Sequence, residues 1–394
     1  MNLYASLPLA GIIALGLGLV MQSGTGGNPA LQLSDPVSKP DLREGIQAVR
    51  EGDLSKAEQL LKSATEAHPD FPFAHYWLGV TYMKEHRRSE AEQSLLKGIG
   101  LRPDFPEAYN ALGILYDEQE LYSKSEAAFL RAVALKPKAT NTLFNLGLSY
   151  MRQKRFSEAL GRFDELIEVD PSYPGGHLQR GIALDSLKCY REARLALEKH
   201  LETSPEDAFA RIKLGEAFCG LGMFQEAIES FKRASNTSGP QVSRAFSQLG
   251  FVYYDLARYR DALEALDKAL KIDPHNLDAL QYRGMIYLDQ GDQKRAESCF
   301  ERILTLSPTH SEAQWHLGSI FFSRREYARA LPLFESVVHQ QPDHLGAYYQ
   351  LAQTYFRLNQ PQKGREALET YKRLRDLERS QRKQLYQGRV APPR

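Results

Sequence analysis

Cysteine is scarce: three in 394 residues, Cys189, Cys219 and Cys299, all isolated. That excludes a disulfide framework and a CxxC metal site, and predicts inert, buried thiols. Charge of one sign is missing too. Fifty Lys and Arg face 49 Asp and Glu, a net charge of +1, so nothing pulls the whole chain toward nucleic acid or a membrane surface. The ten histidines show no HExxH or other ligand spacing, so no metal is expected. Phosphate-binding loops, nucleophile elbows and kinase signatures are absent as well. The chain is therefore expected to have no catalytic residue and no cofactor, and not to be an enzyme.

Long apolar runs are nearly absent, with one exception. Leu7–Val20, LPLAGIIALGLGLV, is uncharged and about the length of a signal-peptide core. It is shorter than the roughly 18–20 residues that cross a bilayer. Met1–Ser6 carries no Lys or Arg, a departure from the usual basic start, and small residues follow at Ser23, Gly24 and Gly26. Residues 1–27 are expected to be a signal peptide or signal anchor and residues 28–40 a flexible linker, since Gln22–Pro40 is rich in Gly, Ser, Pro and Asn. This predicts an exported or membrane-anchored protein, in the periplasm or cell envelope if the source is a bacterium, with the cytoplasm as the alternative.

What the chain has in plenty is repetition. Glycine recurs every 34 residues at Gly45, Gly79, Gly113, Gly147, Gly181 and Gly215, then at Gly250, Gly284 and Gly318. Small residues recur in step, as at Ala91, Ser125 and Ala159, and proline does so from Pro69 to Pro342. All three series slip by one residue between Ala234 and Pro240, so a single insertion in Ser235–Gly239 explains every slip. Within one unit, the spacing predicts a helix over about Pro106–Glu118 with Tyr109, Leu112, Gly113 and Tyr116 on one face. A second helix is predicted to start at a capping box, Ser123…Glu126, and to turn Ala127, Leu130, Val133 and Ala134 inward. Ser55…Glu58 and Ser89…Glu92 read as the same box. Neither helix could bury its apolar face alone, so the pair needs neighbours of its own kind.

The period, with Tyr109, Leu112, Gly113, Tyr116, Phe129, Ala132 and Pro137 at the family's positions, resembles the tetratricopeptide repeat (TPR) family. About ten units cover residues 41–376, and residues 377–394 read as the end of a basic C-terminal helix and a tail. Arg180 and Arg283 depart from the pattern where Leu112 sits, and His200 where Ala132 sits. The resemblance implies an all-α, right-handed solenoid of antiparallel helix pairs with a C-terminal solvating helix. It implies a non-catalytic scaffold that binds an extended peptide or partner protein in a concave groove lined by first helices.

The residue two before each glycine is Asn145, Gln179, Lys213, Gln248, Tyr282, His316 or Gln350 in units four to ten. Such a row resembles the asparagine ladder of O-linked N-acetylglucosamine transferase repeats, though asparagine occurs here once. Trp315, Phe322, Tyr349 and Phe356 are expected to anchor a ligand beside it, and Tyr76, Phe144 and Phe251 to line the same face. Carboxylates in the lining, such as Asp185, Glu216, Asp255, Asp278, Asp289 and Glu312, outnumber Arg152, Lys213 and Arg244, which favours a basic partner. Tyr76/Val80, Asn110/Ile114 and Phe144/Leu148 do not supply the Lys/Asn carboxylate clamp of the chaperone-binding branch. A cytosolic adaptor, and an accessory subunit of a transferase on another chain, remain the alternatives. No nucleic-acid partner is expected, and a membrane only through the N-terminal segment.

Overall fold

Each 34-residue unit folds as two helices because a glycine on the first admits a large side chain from the second. In the computed structural model, which describes residues 40–390, a Cβ on Gly113 would lie 2.6 Å from Phe129 Cδ1. A Cβ on Gly147 would lie 2.5 Å from Phe163 Cε1, and one on Gly215 2.4 Å from Phe231 Cε1. Real Cβ contacts are never so short, so the helices can cross at this distance only over glycine. Ser125 adds a polar clasp at the same crossing, its hydroxyl donating to Gly113 O at 2.9 Å.

Twenty helices form among the described residues, and the chain divides at Pro205/Glu206 into two units. Unit 1 holds α1 (Pro40–Glu51), α2 (Leu54–Ala67), α3 (Pro72–Lys84), α4 (Arg88–Leu101), α5 (Pro106–Glu118), α6 (Tyr122–Leu135), α7 (Thr140–Arg152), α8 (Phe156–Val169), α9 (Gly176–Ser186) and α10 (Tyr190–Thr203). Unit 2 holds α11 (Ala208–Gly220), α12 (Phe224–Ser235), α13 (Gln241–Asp255), α14 (Tyr259–Ile272), α15 (Leu277–Asp289), α16 (Gln293–Leu306), α17 (Ser311–Ser323), α18 (Tyr327–Gln340), α19 (Leu345–Arg357) and α20 (Pro361–Val390). Each unit is a run of five helix pairs, and no strand occurs among the described residues. The expected all-α array of tandem pairs is what the chain forms. The inserted residue falls where α12 ends, and Pro240 becomes the N-cap of α13.

Between the helices of a pair the chain turns on a left-handed residue, again every 34 positions: Gly52, His86, Glu120, Lys154, Lys188 and Gly222, then Ala257, Gly291, Arg325 and Asn359. The turn closes as a Schellman motif, with Leu121 N donating to Tyr116 O at 2.9 Å and Glu120 N to Asp117 O at 3.1 Å.

Two expectations for the second helices are corrected. Serine does not cap them: α4 and α6 begin after Arg87 and Leu121, neither of which makes a side-chain cap, and α2 is capped by Asp53, which accepts from Lys56 N at 3.1 Å. The tight turn starts each helix one residue before the serine, so Ser55, Ser89 and Ser123 already lie inside it. The buried face of α6 is Ser125, Ala128, Phe129 and Ala132; Ala127, Leu130 and Ala134 are exposed, and Val133 is half-buried. Gly113 sets that phase by requiring Phe129 opposite it.

The thiols are corrected in part, since Cys299 is buried but Cys189 is exposed. Arg180 and Arg283 keep their place by reaching back sixteen residues, to Asp164 at 2.6 Å and Asp267 at 3.3 Å. The signal or anchor segment (1–27), nearly all of the linker (28–40) and the last four residues lie outside the described residues. No described helix is long and apolar enough to cross a membrane.

Candidate functional site: the first-helix face of each unit

Within each unit most successive first helices touch side by side, so the side chains flanking each glycine share one side of the array. In unit 1 that face is closed and internally satisfied. Asn145 is buried, and its amide donates to Asn110 Oδ1 at 3.1 Å. Asp117 accepts from Ser149 Oγ at 2.6 Å and pairs with Arg152. Tyr76 packs on Phe105, with ring centroids 5.1 Å apart, and Phe144 on Tyr173 at 5.2 Å. Both rings are buried and belong to the core, which corrects their expected place on an open wall. Gln179 is half-buried on α9.

Unit 2 presents a more open and less satisfied face. At its start Glu216 joins two cations, accepting from Lys213 Nζ at 2.6 Å and from Arg244 at 2.9 Å. Lys213 is itself buried. Next come Gln248 and Phe251 on α13, the latter 5.1 Å from the Tyr282 ring of α15. Asp278, in the first turn of α15, makes no hydrogen bond or ion pair among the described residues; burial pushes its carboxyl above the usual range, against the pull of Arg244 and His310. His316 stacks on Phe300 at 4.9 Å, and burial holds its imidazole below the ordinary value.

The expected anchors differ among themselves. Trp315 is half-buried between Phe334, at 5.6 Å, and His344, at 5.0 Å, and Phe322 is half-buried against Tyr327 at 5.3 Å. Tyr349 and Phe356 are 45% and 37% exposed, so these two are the open rings. Beside them Gln350 Oε1 is buried with no donor. A buried carbonyl oxygen without a partner costs about 1–3 kcal/mol. Two site features were not foreseen: the histidine caps of α17 and α19, where His310 Nδ1 accepts from Ala313 N at 3.2 Å and His344 Nδ1 from Ala347 N at 2.9 Å. His310 and His344 occupy the repeat position of Asn276, which caps α15 in the same way. No His, Cys, Asp and Glu cluster suited to a metal ion occurs among the described residues.

Family models match the chain in five stretches. Tetratricopeptide repeat models match residues 48–115, 106–138 and 140–173. The cytochrome c-type biogenesis protein H TPR domain matches residues 189–314, and anaphase-promoting complex, cyclosome, subunit 3 matches residues 289–371. No curated protein matches. Similar solved structures include YrrB, described as a TPR protein with an unusual peptide-binding site, at 23% identity over 48% of this chain and 97% of that one, TM-score 0.42. PilF of Pseudomonas aeruginosa is 17% identical over 54% of this chain and 97% of its own, TM-score 0.46. The Cut9–Hcn1 hetero-tetramer of the APC/C is 13% identical over 85% and 94%, TM-score 0.45.

Proposed function

We propose, for a chain that belongs to the tetratricopeptide repeat family, a role as a non-catalytic scaffold that holds an extended, basic peptide segment on the first-helix face of unit 2. The carrying observation is Gln350 Oε1, a buried acceptor without a donor beside the exposed rings of Tyr349 and Phe356. Gln248 and Gln350 each both donate and accept, so they suit a peptide backbone irrespective of its sequence. Preference for Lys or Arg follows from the charges left over. Lys213 and Arg244 are both engaged by Glu216, whereas Asp255 and Glu312 form no ion pair among the described residues, and Asp278 is drawn by Arg244 and His310 without pairing with either. Asn145 and Gln179, on unit 1, are not part of this surface.

The scaffold is exported or membrane-tethered through residues 1–27. The uncharged run Leu7–Val20 and the small residues after it carry that view, and the match to a cytochrome c-type biogenesis protein domain adds support. Protease protection in intact cells, with and without residues 1–27, tests it; a soluble cytosolic chain with Met1 intact overturns it.

For the peptide surface, a displayed random-peptide library panned against the full chain should enrich Lys- and Arg-bearing sequences, with retention falling as salt rises. Gln248→Ala with Tyr349→Ala and Gln350→Ala should cut retention at least tenfold while helicity and melting hold. Trp315 is left intact because its ring also packs on Phe334. Unchanged retention would move the binding surface elsewhere.

A further inference from the structure

Three junctions between helix pairs carry a tyrosine three residues after the glycine and an arginine eight after it. They are Tyr82 with Arg87, Tyr150 with Arg155, and Tyr253 with Arg258. All three are built alike. Each guanidinium lies over its tyrosine ring, 4.3, 4.3 and 4.6 Å from the centroid. Each also holds the carboxylate three residues further on, Glu90, Glu158 or Asp261.

At the first two junctions the guanidinium reaches a second carboxylate, on the preceding second helix. Arg87 Nη1 donates to Glu58 at 2.7 Å, and Arg155 Nη1 donates to Glu126 at 2.7 Å. Around Glu58 this cage has a further member, Lys62, whose Nζ lies 2.7 Å from the same carboxylate. Lys62 above all, with Arg87, holds the Glu58 carboxyl below its ordinary value, so the cage favours the charged form.

At the third junction the cage is repeated and the glutamate is not. Lys232 stands at the repeat position of Lys62, and Tyr253 and Arg258 stand at those of Tyr82 and Arg87. The position of Glu58 and Glu126 is taken by Ile228, which is buried in the core. Among the described residues Lys232 Nζ makes no ion pair, and Arg258 bonds only to Asp261, which leaves its Nη1 without an acceptor. The Tyr253 hydroxyl has no described partner either, although the residue is only 8% exposed. Its counterparts Tyr116, Tyr150 and Tyr355 donate to glutamates at 2.6, 2.8 and 2.6 Å.

A cleft of about 430 Å³ opens at this place, lined by Lys232, Tyr253 and Arg258 together with Asn236, Phe246 and Lys268. The insertion in Ser235–Gly239 accounts for it. Helix α12 ends after 12 residues, where α10 and α14 run for 14, so its last turn does not close the gap. Three cations line the cleft against two carboxylates, Asp261 on Arg258 and Glu264 on Lys268 at 2.8 Å. One positive charge is left over. The volume falls in the range of small-ligand sites, roughly 300–1,000 Å³.

We propose that this cleft binds a carboxylate from outside the chain, held by Lys232 Nζ, Arg258 Nη1 and the Tyr253 hydroxyl. The group accepts from all three, as Glu58 accepts from Lys62 and Arg87, and Phe246 gives the body of the ligand an apolar wall. The site shares none of Gln248, Tyr349 and Gln350 with the peptide surface of unit 2, and it selects the opposite charge.

Isothermal titration calorimetry of the full chain tests this, with glutarate as one probe and a blocked peptide bearing one glutamate as the other. Saturable binding of either probe is expected, weakening as salt rises and absent for the glutamine analogue of the peptide. Binding of glutarate alone assigns a free organic acid as the ligand; binding of the peptide alone assigns an acidic side chain of a partner protein. Tyr253→Phe keeps the ring under Arg258 and should weaken binding at least tenfold, the loss of one hydrogen bond to a charged group. Lys232→Glu supplies the carboxylate from within, at the repeat position from which Glu335 accepts the Tyr355 hydroxyl. It should abolish binding and raise the melting temperature, whereas Lys232→Gln should weaken binding without that rise. Lys232 is exposed, so neither substitution disturbs the core. No saturable binding of either probe, or binding retained by Lys232→Glu, overturns the proposal. Gln248, Tyr349 and Gln350 are untouched in every variant, so the basic-peptide surface of unit 2 stands or falls separately.

Discussion

The hydroxyl of Tyr150 donates to the carboxylate of Glu126 at 2.8 Å, tying one helix pair to the pair before it. Arg155 joins the same carboxylate at 2.7 Å and lies over the Tyr150 ring, 4.3 Å from its centroid. Tyr116 reaches Glu92 at 2.6 Å in the same manner, and Arg87 reaches Glu58 at 2.7 Å. Glu58, Glu92 and Glu126 are the glutamates that a capping box would have turned back on its own helix. They clip neighbouring pairs together instead.

Removing that clip should cost more than removing a lone surface pair. Burial first, and the bond to Glu126 second, push the Tyr150 hydroxyl up to about 12, while Arg155 above all holds the Glu126 carboxyl below its ordinary value. Tyr150→Phe should destabilise by ~1 kcal/mol and Glu126→Ala by ~1–2 kcal/mol in urea unfolding. Because the folded Glu126 is the stronger acid, its contribution is present above the unfolded carboxylate pKa and is lost as pH falls through the folded one. Glu126→Gln should flatten that acid limb.

The glycine register makes a paired prediction. Gly147→Ala places a Cβ 2.5 Å from Phe163, and Gly250→Ala one 2.4 Å from Leu266, so each should cost ~1–3 kcal/mol through overpacking. Gly161 also lies in a helix, but a Cβ there meets nothing within 4 Å. Gly161→Ala should stabilise by ~0.5–1 kcal/mol. Differential scanning calorimetry of the three variants checks both signs, and melting temperatures that failed to separate would refute the register.

Much of the fold was legible because three residue types, glycine, alanine and proline, answer to backbone geometry rather than to surface chemistry. The phase of the second helix was not, for a physical reason. Ala127, Ala128, Phe129, Leu130, Ala132, Val133, Ala134 and Leu135 give apolar residues on nearly every side of α6, and only the contact of Gly113 with Phe129 selects one. The row of Asn145, Gln179, Gln248 and Gln350 was found by counting from the glycine. Which members have a partner depends on neighbours in adjacent pairs, Asn110 for Asn145, and counting along one repeat does not see across to the next.

The left-handed turns predict a gain of stability. Ala257 holds φ at 55°, where its repeat counterparts Gly222 and Gly291 are glycines. An alanine there is strained by ~1–2 kcal/mol, offset in part by the greater freedom glycine has when unfolded. Ala257→Gly should therefore stabilise unit 2 by ~0.5–1 kcal/mol, read as a higher urea midpoint at unchanged slope. A lower midpoint would mean that the Ala257 methyl group makes a favourable contact in the turn.

Buried histidine sets the last prediction, and its sign follows from linkage. Burial holds the His316 imidazole below its ordinary 6.5, chiefly because charging it on the stacked Phe300 ring would strip it of water; Glu312 and Asp289 oppose that shift. The folded chain then binds fewer protons than the unfolded chain between the two pKa values. Stability is full above the unfolded value and declines as pH falls through 6.5 toward the folded value. His75 and His177, also lowered mainly by burial, add to the same slope in unit 1. His316→Phe keeps an aromatic ring against Phe300 and removes the proton site. Chemical unfolding at several pH values from roughly 7.5 down to 5.5 should show a shallower loss of stability in the variant than in the wild type. Parallel curves would mean that His316 is protonated as readily when folded as when unfolded, and that its stack on Phe300 admits water.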